Sequence, residues 1–185
     1  MPMTNSVLWR RLDTPGHDWC RLSQSDEGWR LEGSSVFRHD LGPARIDYFV
    51  SCDRSWKCRS GRVDGYIGDQ SWHVRVDRTE AGSWRLDGAY VGGLEVCLDL
   101  DLGFTPATNV LQLRRAGLDV GEAADVPVAW LDLPEASLVL LPQRYERRDA
   151  SSYWYEAPTV GYSGLLELDA SGFARSYPQL WLMEP

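Results

Sequence analysis

The chain has 185 residues, 43% of them hydrophobic, and a formal charge of -8. That length and apolar content suit one domain with a sizeable core. The negative balance argues against nucleic acid and anionic membrane surfaces as partners, because both need a basic face.

Met1 to Arg11 holds no apolar core of signal-peptide length, and no later window approaches eighteen apolar residues. The expectation is a cytoplasmic protein without a transmembrane segment. Cys20, Cys52, Cys58 and Cys97 show no C-x2-C zinc spacing. Cys52 and Cys58 can face each other across a hairpin, but a reducing compartment favours free thiols. No metal or cofactor is expected. Eighteen arginines against the single Lys57 point to a GC-rich bacterial genome.

Apolar and polar residues alternate through most of the chain. Trp72, Val74 and Val76 oppose His73, Arg75 and Asp77, and Trp84, Leu86 and Tyr90 oppose Arg85 and Asp87. From Leu94 to Leu102 the even positions are apolar, with Glu95, Cys97, Asp99 and Asp101 opposite. Period two predicts half-buried antiparallel strands. Turn signals such as Ser25-Asp-Glu-Gly28, Asp40-Leu-Gly-Pro43, Gly92-Gly93 and Asp169-Ala-Ser-Gly172 separate them. The pattern predicts about ten strands of usual length, running from near residue 6 to the end. They form a mostly β, single-domain curved antiparallel sheet, a barrel or half-barrel over residues 1–185 with little helix. Residues 116–125 are the weakest strand candidates, a loop or one helical turn. Nine tryptophans and eight tyrosines predict an aromatic core, with two or three rings free to line a pocket for a sugar face or an acyl chain.

The densest chemistry lies in Asp99-Leu-Asp-Leu-Gly-Phe-Thr-Pro-Ala-Thr-Asn109 and the following Arg114 and Arg115. Asp99 and Asp101, two apart on a strand, share a face. They can pair with Arg114 or Arg115 on a returning strand, hold a cation, or serve as an acid/base pair. Neighbours on one strand cannot straddle a glycosidic bond, so the arginine latch is the stronger reading of the three. Thr105-Pro106 fixes a turn whose Thr105, Thr108 and Asn109 either close the loop or rim a cavity. On Gln143-Arg-Tyr-Glu-Arg-Arg148, Gln143 and Tyr145 share a face and either offer hydrogen bonds inside a cavity or lie on a solvated edge. His17, His39 and His73 are scattered, and neither a Gly-x-Ser-x-Gly elbow nor a phosphate loop is present.

These same residues carry a family resemblance. Asp99 to Asn109 with Leu111-Gln-Leu-Arg-Arg115 resembles the signature of the putative glycolipid-binding family, a bacterial group once classed as a domain of unknown function. Arg45 to Trp56, Gly82 to Gly88, Gln143-Arg-Tyr145 and Gly172 to Pro178 are similar to its other recurring segments. Val110, Gln112 and Ala116 stand where the family has Thr, Pro and Leu, and the lost proline allows a regular strand through Leu111–Leu113. The resemblance implies a half-barrel like the bacterial lipoprotein-carrier fold around an apolar cavity, and a role in glycolipid binding or metabolism.

The leading expectation is a binding protein for an amphipathic ligand such as a glycolipid. Acyl chains would lie inside the half-barrel, and the head would meet Asp99, Asp101, Thr105, Asn109, Gln143, Tyr145 and Arg114 or Arg115. The alternatives are a sugar or lipid hydrolase or isomerase using Asp99 or Asp101, and a structural or protein-interaction module.

Overall fold

The alternation read from the sequence becomes a long meander. In the computed structural model, which describes residues 4–185, inward side chains are buried and outward ones exposed along β1 (Thr4–Arg11), β2 (Gly16–Ser25), β3 (Gly28–His39), β4 (Gly42–Cys52), β5 (Cys58–Ile67) and β6 (Gln70–Arg78). Short β7 (Trp84–Leu86) and β8 (Ala89–Val91) continue it to one edge. The chain then turns inward as β9 (Leu100–Leu102) and helix α1 (Asn109–Ala116), and reaches the opposite edge at β10 (Ala123–Asp125). After β11 (Val128–Leu131) and β12 (Leu138–Leu141), a second meander follows: β13 (Arg144–Arg147), β14 (Ser152–Ala157), β15 (Tyr162–Leu168), β16 (Ala174–Tyr177) and β17 (Trp181–Met183). β17 pairs with β1 and so joins both meanders into one 14-stranded antiparallel sheet. A three-stranded sheet, β12-β11-β9, packs with α1 as an inner layer.

The sheet has to bend. β4 and β13 are eight steps apart in strand order, roughly 40 Å if flat at ~4.8 Å per strand. Yet Tyr48 on β4 contacts Thr105, while Tyr145 on β13 bonds Asn109, four residues further on. The result is an open half-barrel with β8 and β10 as free edges, not a closed barrel. Wide sheets commonly curl in this way.

Its concave side is filled. Gly61 on β5 lets Leu100 approach so closely that a Cβ there would lie 2.2 Å from Leu100 Cδ2. Leu100, Leu102, Val110, Leu111, Val128, Ala129 and Leu131 are buried against the sheet. These side chains fill the space between the inner layer and the sheet around β5.

Other expectations also need correction. Strands number seventeen among the described residues, not about ten, because several are three or four residues long. Residues 94–99 are not a strand: Cys97 N–H donates to Leu94 O in a turn, and β9 is confined to three residues. β9 runs parallel to β11, the exception to antiparallel pairing among the described residues. Leu111–Leu113 lies in α1, so Arg114 and Arg115 come from a helix and not from a returning strand. Residues 116–125 divide into the helix end, a loop and β10.

Cys52 and Cys58 do face each other across β4 and β5, and all four cysteines are free and buried. Among the described residues, no helix is long and apolar enough to cross a membrane.

Candidate functional site

α1 is short, and a helix of eight residues needs tertiary contacts to persist. Two carboxylates from the β9 segment grip its ends. Asp101 Oδ1 accepts a 2.5 Å bond from Thr108 Oγ1 at the helix start, and Leu102 N–H donates to the same hydroxyl. At the other end Arg115 donates from Nε and Nη2 to both oxygens of Asp99, at 2.7–2.9 Å. A negative group at the N-terminus and a cation in the last turn both suit the helix dipole. The latch reading therefore holds for Asp99, with Arg115 as its partner.

Behind Asp101 lies a buried network. Gln143 Nε2 donates to Asp101 Oδ2 at 2.7 Å, and Tyr145 hydroxyl donates to Gln112 Oε1 at 2.6 Å. Asn109 Nδ2 donates to the Tyr145 oxygen at 2.7 Å. Gln143 and Tyr145 do share an inward face, but both are buried by these partners. Burial pushes the Asp101 carboxyl above its ordinary range against the hydrogen bonds of Thr108 and Gln143. Burial likewise raises Asp99 against the pull of Arg115.

Three of the eight expected site residues, Asp101, Thr105 and Asn109, meet at the floor of one cleft of about 270 Å3. Its walls are Trp130, Tyr155, Tyr162, Tyr177 and Trp181, with Val160 and Leu180 at the sides. Tyr155, Tyr162 and Tyr177 pack against one another with centroids 5.0–5.9 Å apart. Tyr155 also stacks on Tyr145 at 4.8 Å, which ties the wall to the network.

Gln143 and Tyr145 stand behind the floor, and Asp99 with Arg115 lies outside the cleft lining. Arg114 points elsewhere, to Ser171 O at 2.7 Å beside a separate depression that it lines with Arg147 and Asp169. Asp99 and Asp101 thus do not share a site.

The wall residues were not named from the sequence. Tyr153 and Tyr155 alternate inward on β14, but periodicity marks burial without marking a pocket. Also missed was Asp18, wholly buried on β2. Its Oδ1 accepts from Tyr48 hydroxyl at 2.7 Å, and Thr105 Oγ1 donates to Tyr48 oxygen at 3.2 Å, so this carboxylate supports the loop that floors the cleft. Asp18 Oδ2 and Ser35 Oγ, cross-strand neighbours, lack hydrogen-bond partners. Burial drives the Asp18 carboxyl up to about 7. Asp132, packed against Gly103 at the cleft side, is raised to about 6 by burial.

A family model described as "putative glycolipid-binding" matches residues 6–182. The chain belongs to this family. Its fold is similar to the crystal structure of a DUF1089 family protein from Pseudomonas aeruginosa, with a TM-score of 0.78 and 26% identity, covering 89% of this chain and 91% of that one. No curated protein matches the chain. The family match spans the aromatic cleft and both meanders. The sequence resemblance thus agrees with the family model, and the half-barrel with the fold of its structural relative.

Proposed function

We propose that the cleft floored by Asp101, Thr105 and Asn109 receives the sugar head group of a glycolipid. One observation carries the reading: hydrogen-bonding groups converge at the base of a small site walled by five aromatic rings. Flat rings offer apolar surface to the C–H faces of a pyranose, while the floor accepts and donates to its hydroxyls. Asp101 keeps unused lone pairs, because each carboxylate oxygen accepts one side-chain bond within the network and can take a second. Asn109 spends one of its two amide hydrogens on Tyr145.

Size supports the head group over the whole lipid. About 270 Å3 falls below the roughly 300–1,000 Å3 of sites that enclose drug-sized ligands. Membership of a family described as "putative glycolipid-binding" supports a glycolipid as the ligand class.

Trp130 and Trp181 lie in the walls, so their fluorescence reports occupancy. Titration with a panel of methyl glycosides and glycolipid micelles is expected to give saturable quenching. Trp130→Ala should weaken binding about tenfold while the unfolding midpoint stays within a few degrees. Unchanged fluorescence across the whole panel, with no glycolipid retained in native mass spectrometry, defeats the proposal.

A further inference from the structure

The aromatic cleft has a second carboxyl group at its side. β9 and β11 run parallel, with Asp101 opposite Trp130 and Leu102 opposite Leu131. Gly103 N–H donates to Leu131 O at 2.9 Å and carries the pairing one step further, to the level of Asp132. Asp101 and Trp130 share the face that lines the cleft, and Asp132 follows Trp130 by two residues. The position of its side chain agrees: a Cβ on Gly103, itself a cleft residue, would lie 2.6 Å from Asp132 Cγ. Glycine at 103 leaves the space that this carboxyl group occupies. Asp132 Oδ1 accepts from Leu133 N–H at 2.8 Å, and the residue is half-buried, not sealed.

Asp101 and Asp132 are therefore diagonal neighbours on one face. At ~4.8 Å between strands and ~3.3 Å per residue, their Cα atoms lie on the order of 8 Å apart. Carboxyl groups about 6.5–9.5 Å apart leave room for an anomeric carbon and a water between them. Burial raises both groups, but their donors differ. Asp101 accepts from the Thr108 hydroxyl and the Gln143 amide, which favours its ionised form. Asp132 has the Leu133 N–H, and burial holds its proton up to about 6. The charged groups around Asp132 are Arg11 from β1, which acts against the rise, and Glu135 and Asp101, which add to it. The Arg11 guanidinium also lies 4.9 Å from the ring centroid of Trp181, so this cation belongs to the same side of the cleft.

We propose that the cleft hydrolyses the glycosidic bond of the sugar it receives, with Asp132 as general acid and Asp101 as the base for the attacking water. The inference rests on the cleft reading above. Asp132 gives its proton to the glycosidic oxygen while the bond from C1 to that oxygen breaks, its electron pair passing to the oxygen. A water oxygen bonds to C1 from the other side and loses a proton to Asp101. The products are the free sugar, with inverted anomeric configuration, and the alcohol that carried it. Proton exchange with solvent then restores the pair. A raised acid beside a hydrogen-bonded carboxylate is the division of labour that this chemistry requires.

The test uses phenyl and 2,4-dinitrophenyl glycosides of common hexoses, in both anomeric forms, with the full chain and Asp132→Asn. The substitution keeps shape and the acceptor for Leu133 N–H. Dinitrophenolate departs without a proton, whereas phenolate needs one. Wild-type kcat/KM on phenyl glycosides should fall about tenfold per pH unit above about 6, with no such fall for the dinitrophenyl series. Asp132→Asn should lower kcat on the order of a hundredfold or more for phenyl glycosides and less than about tenfold for dinitrophenyl ones. Equal losses on the two series, or turnover that survives Asp132→Asn, overturn the inference. Should that variant not fold, the wild-type profiles decide, and a phenyl rate that does not decline above pH 6 overturns it. If methyl glycosides bind while no glycoside is cleaved, hydrolysis falls and the cleft reading stands. If nothing binds and nothing is cleaved, both fall.

Discussion

Replacing Asp18 with Asn removes a charge that the fold holds at a cost. Asp18 is fully buried, one of its oxygens lacks a partner, and burial lifts its carboxyl from 3.8 to about 7. Because the folded value lies above the unfolded one, the native state binds the extra proton. Stability is therefore greatest at low pH and declines as pH rises through the folded value. Between pH 5 and pH 8 this single group withdraws about 2–3 kcal/mol from the native state. For a chain of this size that is roughly 5–10 °C in melting temperature. The Asn variant keeps the acceptor for Tyr48, adds an N–H toward Ser35 and has no charge to form. Melting curves of wild type and Asp18→Asn at pH 5, 6, 7 and 8 should start close together and diverge, the variant becoming the more stable. Parallel curves across that range refute the reasoning, because they mean that Asp18 ionises as easily folded as unfolded.

Arg115→Ala leaves the Asp99 carboxylate buried without its partner and should cost about 3–5 kcal/mol in urea unfolding, with Asp99→Asn in the same chain restoring much of it. Gly61→Ala drives a methyl into Leu100 and should cost about 1–3 kcal/mol, partly recovered by Leu100→Val; an unchanged midpoint contradicts the close approach. Tyr145→Phe deletes the hydroxyl shared by Asn109 and Gln112 and should cost about 1–3 kcal/mol, with weaker glycoside binding because Asn109 loses its anchor.

Strands with one wet face were legible because their side chains alternate. Trp72, Val74 and Val76 lie on the inner side of β6 as their spacing requires. Legibility failed where both sides of an element are covered. At β9, Leu100, Asp101 and Leu102 are all buried, so alternation carries no information about exposure. It failed again at α1, where Leu111 and Leu113 mimic period two over a helix too short to display its own period. The clue was at the end: Gly117 adopts a left-handed conformation just after Arg114 and Arg115, the punctuation of a helix C-terminus. Of the site, the residues with conspicuous polarity on a turn, Thr105 and Asn109, were readable. Tyr155, Tyr162 and Tyr177 were not, because their convergence depends on how β14, β15 and β16 curl around the inner layer.

The pairing of β1 with β17 sets a schedule for biosynthesis. A growing polypeptide emerging from the ribosome can assemble its first meander early, yet one flank of Trp9–Arg11 has no complement until Trp181–Met183 is made. An unsatisfied flank of this kind invites association between neighbouring nascent chains. Pulse-labelled hydrogen exchange during refolding should accordingly find the β1 amides that face β17 protected after those that face β2.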